Sequence, residues 1–249
     1  MLVAAALCVG AGCEPASRTS ARWRNLDIGL DYAVVHTRGT QSKALVTAHV
    51  LRFAPLRWQV RVVDAAQTGT PLSNAAGFRA AAGGVAAINA GYFDPKNRPL
   101  GLLVSQGKQR AKLRKVDHGI LVIASDGAVG LQHARAFVPP PNMDFAIECG
   151  PRLVVPGKSL TFKPGIARRT AIGVNSAGVA HWIVTSGVMS LADFAAWLAR
   201  PVTSGGLGLT GALNLDGGSS SMFDLAAGEI QAAVRSSVQV PVGLALVRR

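Results

Sequence analysis

The chain has 249 residues, enough for one large domain or two small ones. Its 49% hydrophobic content against 16% charged residues excludes a disordered chain, because that mix can bury a sizeable core. Twenty-six Lys and Arg against 13 Asp and Glu give a net charge of +13, which points to anionic partners and leaves few carboxylates to weigh as catalysts.

Residues 2–12 are uncharged and mostly apolar and end at Cys13. The run is too short to span a bilayer and suits the core of an export signal. Gly10, Ala11 and Gly12 before Cys13 resemble a lipoprotein cleavage site, although Gly10 stands where an aliphatic residue is usual. The expectation is a signal or lipoprotein-type segment over 1–13, a tether over 14–24 and one domain over 25–249. Export to the periplasm or cell envelope follows, with membrane contact only through a lipid on Cys13. Cys149 then stands alone, read as a small buried hydrophobe, with a reactive thiol as the alternative because Glu148 and Arg152 are near in sequence.

Strand-like stretches follow at 32–36, 44–53 and 58–64, rich in Val and Leu with partial alternation. Residues 73–82 read as a helix closed by Gly83-Gly84. Residues 85–93 form an apolar run that ends in a glycine turn. Stretches 118–123 and 129–133 flank Ser125-Asp126-Gly127, a hairpin signal. Stretch 146–155 ends at Pro156-Gly157, and 170–174 and 179–185 flank a second hairpin turn at 175–178. Ser190 and Asp193 read as a capping box ahead of an apolar helix face, Leu191, Phe194, Ala195 and Leu198. Hairpins with few helices predict an α+β fold, a largely antiparallel or mixed β-sheet with a few packed helices in a single domain.

Several motifs fail on inspection. There is no HExxH and no Cys-x-x-Cys, so no zinc signature, and no metal or other cofactor is implied. Asp216, Asn89 and Asn214 could ligate a hard cation, but their spacing does not demand one. His36, His49, His118, His133 and His181 are scattered and read as structural or surface residues. Gly150 to Ser159 lacks P-loop spacing, and no G-x-S-x-G surrounds Ser219-Ser220-Ser221. Lys108, Arg110, Lys112, Arg114 and Lys115 are the one basic cluster, read as a solvated loop. Charge alone speaks for nucleic acid, so no nucleic-acid partner is expected.

Three segments place polar residues where apolar strands end in turns. They are Asn89-Ala90-Gly91-Tyr92-Phe93-Asp94, Arg168-Arg169-Thr170-Ala171-Ile172-Gly173, and Asn214-Leu215-Asp216-Gly217-Gly218-Ser219-Ser220-Ser221. In the third, a strand delivers Asp216 to a turn whose glycines let backbone approach a ligand, and whose N–H groups could form an anion nest. A plain Asp-Gly turn is the alternative on local chemistry.

In this order the three segments resemble the phosphodiester glycosidase family, and Gly150-Pro151-Arg152-Leu153 resembles its GP-x-L segment. The resemblance implies hydrolysis of a sugar–phosphate diester at the anomeric carbon, with bacterial relatives associated with exopolysaccharide or cell-envelope metabolism. Such a reaction needs carboxylates for an oxocarbenium-like transition state and cationic or N–H donors for phosphate. On that reading Asp216 is the expected nucleophile or general base. Glu148 is a second carboxylate or else a surface ion-pair residue, and Arg169 is a phosphate clamp, because its planar guanidinium can hold two oxygens. Asp94 reads as a turn cap. Asn89, Gly91, Tyr92, Thr170 and Asn214 are expected at the substrate, with Gly217, Gly218 and Ser219 forming the nest. The alternative from another class is a non-catalytic envelope protein that binds anionic polysaccharide through the same cleft.

Overall fold

A computed structural model describes residues 21–39 and 45–249. The signal-like segment, Cys13 and most of the tether lie outside the described residues. The last tether residues are docked rather than loose. Ala21 and Trp23 pack on the core, Arg52 lies 4.0 Å over the Trp23 ring, and the first strand starts at Arg24.

Every strand pair among the described residues is antiparallel, so the mixed alternative drops out. A seven-stranded sheet runs, in spatial order, Arg24–Asp27, Leu30–Arg38, Leu45–Phe53, Ala180–Thr185, Thr170–Asn175, Leu209–Asn214 and Arg152–Val154. A five-stranded sheet runs Lys108–Ala111, Leu103–Ser105, Met143–Cys149, Gly119–Ala124 and Val129–His133. Another runs Ile230–Val234, Phe223–Ala227, Ala86–Asn89, Val242–Arg248 and Trp58–Asp64. The pair Ile166–Ala167 and Met189–Ser190 forms a small ribbon.

One core joins the three larger sheets. Trp182 and Ile172 from the first, Leu121 and Ile147 from the second, and Ile88 and Leu244 from the third all lie in it and are fully buried. Side chains alternate across a strand, so neighbours of these residues face away and need their own cover. Ala171 and Ile183 meet Phe194, Trp197 and Leu198 of helix α2 (Leu191–Ala199). Ala87 and Ala245 meet Phe78 of helix α1 (Ala75–Ala82). Burial on both faces explains the continuous apolar runs of strands such as Gly119–Ala124, where alternation is lost in the sequence.

The helices stand where the sequence placed them. Ser190 Oγ accepts the Asp193 N–H at 3.0 Å and starts α2. The helix read over 73–82 spans Ala75–Ala82, and the Asn74 side chain caps it by accepting the Gly77 N–H at 2.9 Å. The stretch 146–155, read as one strand, is two. Met143–Cys149 and Arg152–Val154 belong to different sheets, joined through the cis peptide Gly150-Pro151. Lys108 and Arg110 stand on an edge strand rather than in a loop, paired to Leu103–Ser105. Exposed cations on an edge strand discourage pairing with another chain.

Candidate active site

Strand ends from all three larger sheets meet at one place. Asn89 closes Ala86–Asn89, Glu148 and Cys149 close Met143–Cys149, Thr170 opens Thr170–Asn175, and Asn214 closes Leu209–Asn214. The register sets Ala171 opposite Asn214, and the Leu215 N–H then bonds the Thr170 carbonyl at 2.8 Å. The three sequence segments, 81 and 46 positions apart between Asn89, Thr170 and Asp216, are thereby brought together.

Asn89 is the rivet. Its Nδ2 donates to the carbonyls of Asp216 at 2.7 Å and Ala90 at 3.1 Å. Its Oδ1 accepts from Thr170 Oγ1 at 2.9 Å and from the Met222 N–H at 3.2 Å. Asn89 is 1% exposed and Thr170 fully buried, so neither has a donor left for a ligand. The expectation that they bond sugar or phosphate directly gives way to a supporting role: they hold the backbone that carries Asp216.

Asp216 is half-buried, with Gly217 N–H at 3.0 Å from Oδ1 and the Ser220 hydroxyl as a second donor. Burial pushes its pKa above the usual carboxylate value, and these two hydrogen bonds pull the other way. The turn after it is less of a nest than the sequence implied. The Gly217 N–H is taken by Asp216, Gly218 by the Arg168 carbonyl, Ser220 by Gly217 and Ser221 by Gly218. Among these residues only the N–H of exposed Ser219 has no bond within the described chain. Gly218 sits at φ 63°, a conformation that glycine adopts without steric cost.

The two adjacent arginines have different work. Arg168 stitches the turn to a neighbouring loop, donating to the carbonyls of Gly218 at 3.1 Å and Arg235 at 2.6 Å. Arg169 is only 9% exposed and donates from Nε to Met189 O and from Nη2 to Gly165 O, both at 2.9 Å. Its Nη1 has no partner among the described residues. Burial lowers its pKa, and its charge reaches the Tyr92 hydroxyl.

The Gly150 carbonyl gathers the other side of the site. It accepts from the Tyr92 hydroxyl at 2.6 Å and from Asn214 Nδ2 at 3.0 Å. Asn214 Nδ2 also reaches the Leu215 carbonyl at 2.7 Å, while its buried Oδ1 has no partner. The Tyr92 pKa is raised, by burial first and then by Cys149 and Asp216. Gly91 packs on this strand end, and a Cβ on it would sit 3.4 Å from the Glu148 carbonyl.

Glu148 does not face this opening as a second carboxylate, nor is it a surface ion-pair residue. It is 1% exposed. Oε2 accepts the N–H groups of Leu102 and Arg114, both at 2.9 Å, and Gly101 wraps around the side chain. Oε1 has no hydrogen bond and lies 3.6 Å from His118 Nδ1. The sequence reading took His118 for a structural or surface residue. The available signal was its place one residue before a strand that pairs Gly119 with Cys149, which sets it across from Gly150. Cys149 is fully buried, and burial with the nearby carboxylates pushes its thiol up to about 12, which removes the reactive-thiol alternative. Asp94 caps its turn as expected, accepting the N–H groups of Lys96 and Arg98 at 2.8 and 2.9 Å. Among the described residues no group of three or more His, Cys, Asp or Glu is placed to hold a metal ion.

The signature of the phosphodiester glycosidase family matches residues 82–247, which span every element of this site. The chain belongs to that family. A 150-residue stretch is 27% identical to the uncharacterized protein YigE of Escherichia coli (strain K12), covering 55% of this chain and 57% of that one. The chain thus spans little more than half the length of that curated relative. In fold it resembles the catalytic domain of zebrafish N-acetylglucosamine-1-phosphodiester alpha-N-acetylglucosaminidase, auto-inhibited by its pro-peptide. The TM-score is 0.68 at 19% identity, over 88% of this chain and 84% of that one. A hypothetical protein from Synechocystis matches with a TM-score of 0.71 at 16% identity, over 92% of this chain and 64% of that one.

Proposed function

We propose that this phosphodiester glycosidase family member hydrolyses a sugar–phosphate diester at the anomeric carbon, in an envelope or extracellular glycan. The observation that carries the reading is the convergence of the three family segments on Asp216, a half-buried carboxylate whose backbone is held by Asn89, itself bonded to Thr170. A carboxylate with a raised pKa serves well as a base at the pH where it works, because proton transfer is most efficient when donor and acceptor are matched. Asp216 then takes the proton of the attacking water and faces the positive charge that develops at the sugar carbon. Arg169 Nη1 supplies a charge-assisted bond to phosphate while its other two nitrogens hold it still.

The test is release of reducing sugar from a sugar-1-phosphate diester by the purified protein. Asp216→Asn should lower the rate about 10²–10⁴-fold. The fold should survive that change. A carboxyl whose folded pKa is raised contributes stability below its unfolded pKa and loses it as pH rises through the folded value, so a neutral Asn removes an unfavourable charge at neutral pH. Full activity in Asp216→Asn would defeat the assignment. Glycan binding with no turnover by the natural protein would favour the non-catalytic polysaccharide binder. The substrate class also leads us to propose export, with Cys13 as lipid acceptor.

A further inference from the structure

Glu148 Oε1 and His118 Nδ1 are both buried and both lack a hydrogen bond, and they face each other at 3.6 Å. A buried carboxylate oxygen without a hydrogen bond is unfavourable, because it has lost water without gaining a donor. A shift of about half an ångström would pair the two at ordinary hydrogen-bond length. The surroundings hold both partners. The backbone of Leu102 and Arg114 fixes the carboxylate from one side. The His118 ring lies 6.0 Å from the Tyr92 ring, and its carbonyl accepts the Ala134 N–H at 3.0 Å. Gly150 leaves room for the imidazole, since a Cβ there would come within 2.7 Å of His118 Cδ2. The adjacent void that Glu148 lines measures only about 10 Å³, room for one water at most, so a ligand must come from the solvent side. The His118 side chain keeps 23% exposure there.

We infer that Glu148 and His118 form a carboxylate–imidazole pair in which Glu148 positions the ring and His118 Nε2 holds and protonates the leaving phosphate. The inference rests on the phosphodiester reading above. A carboxylate on Nδ1–H fixes the tautomer and leaves Nε2 for the substrate, as in hydrolytic triads. Tyr92, whose ring lies 6.0 Å from the His118 ring and whose hydroxyl lies 3.4 Å from Asn214 Nδ2, links the pair to the strand end that leads into the Asp216 turn. As the bond from the anomeric carbon to the phosphate oxygen breaks, its electrons stay on that oxygen, which takes the Nε2 proton. The water oxygen bonds the anomeric carbon and gives its proton to Asp216. That proton returns to His118 through solvent, so diester and water become sugar and phosphomonoester. The titratable groups that face the ring are Glu148, 3.6 Å from Nδ1, and Tyr92, whose ring lies 6.0 Å away; next to His118 in the chain, Asp117 is held by His133 at 3.0 Å and lies 3.9 Å from Arg152.

Two measurements on the full chain test the pair. In the first, His118→Ala and Glu148→Gln are assayed on a sugar-1-phosphate diester. We expect kcat about 10²–10⁴-fold lower for His118→Ala, with KM changed less and activity partly restored by added imidazole. Glu148→Gln keeps an acceptor for Leu102 and Arg114, and should lower kcat while the melting temperature stays close to that of the natural protein. In the second, inorganic phosphate is titrated into protein labelled at histidine nitrogens. The His118 Nε2 resonance should move, and should move less in Glu148→Gln. Unchanged kcat in both variants would overturn the pair. If the natural protein turns over no diester, the phosphodiester reading fails by itself and the titration decides the pair: an unmoved His118 signal overturns it, and a Glu148-dependent shift sustains it as a phosphate site.

Discussion

Asn89 shows how much one buried amide can carry. All four of its hydrogen-bonding positions are used, and they tie the first segment to the second through Thr170 and to the third through the Asp216 carbonyl. Asn89→Ala would leave a buried hydroxyl, an N–H and the Asp216 carbonyl short of a partner, while the Ala90 carbonyl keeps the Asp216 N–H, at about 1–3 kcal/mol for each group that water cannot reach. We expect a loss of roughly 3 kcal/mol in chemical denaturation, and a fall in activity through displacement of Asp216 rather than loss of a substrate contact. A substrate contact would instead leave the denaturation midpoint unmoved. The residue type was legible as polar at a strand end. Its saturation was not, because three of its partners come from segments more than 80 positions away.

Helix α1 and the strand Val242–Arg248 show what element packing demands. A Cβ on Gly243 would sit within 2.2 Å of Phe78 Cδ2 and close to two further atoms of that ring, which is fully buried. Gly243→Ala must push α1 off the sheet or force Phe78 from its rotamer, and overpacking of this kind costs about 1–3 kcal/mol. The expected result is a melting temperature lower by several degrees, with Phe78→Leu in the same chain recovering part of it. Strand boundaries were legible where apolar runs met turns: 58–64 and 129–133 match the structure residue for residue. The run 146–155 was misread because apolar residues stand on both sides of Gly150-Pro151, Ala146 and Ile147 before it and Leu153 to Val155 after it. Only the sheets they join distinguish them.

The molecule as a whole gathers three sheets around one core, and its buried histidines make that core sensitive to acid. Burial lowers His181 to about 4, and His49 moves in the same direction. Below its unfolded value of 6.5, His181 binds a proton more readily in the unfolded chain, so stability falls as pH drops from about 6.5 toward 4. The loss from His181 alone is roughly 3 kcal/mol over that window. Urea unfolding at pH 7 and pH 4.5 measures it, and His181→Gln should narrow the difference between the two. An equal loss in that variant would assign the acid sensitivity elsewhere. The positive charge belongs to this scale too, since its field acts on any approaching polyanion and weakens with salt.

The sequence by itself pointed to the family and to an α+β class with antiparallel or mixed strands, and it singled out Asp216 as a candidate, because these rest on local order: strand, turn, and the residue between them. It also limited the carboxylates to a few. Tertiary structure alone decided what each polar residue does. It turned Asn89 and Thr170 inward, spent the N–H groups of the glycine turn, enclosed Glu148 and set His118 against it. The reason is that hydrogen-bond satisfaction is a property of neighbours in space. At this site those neighbours come from the ends of strands in three different sheets.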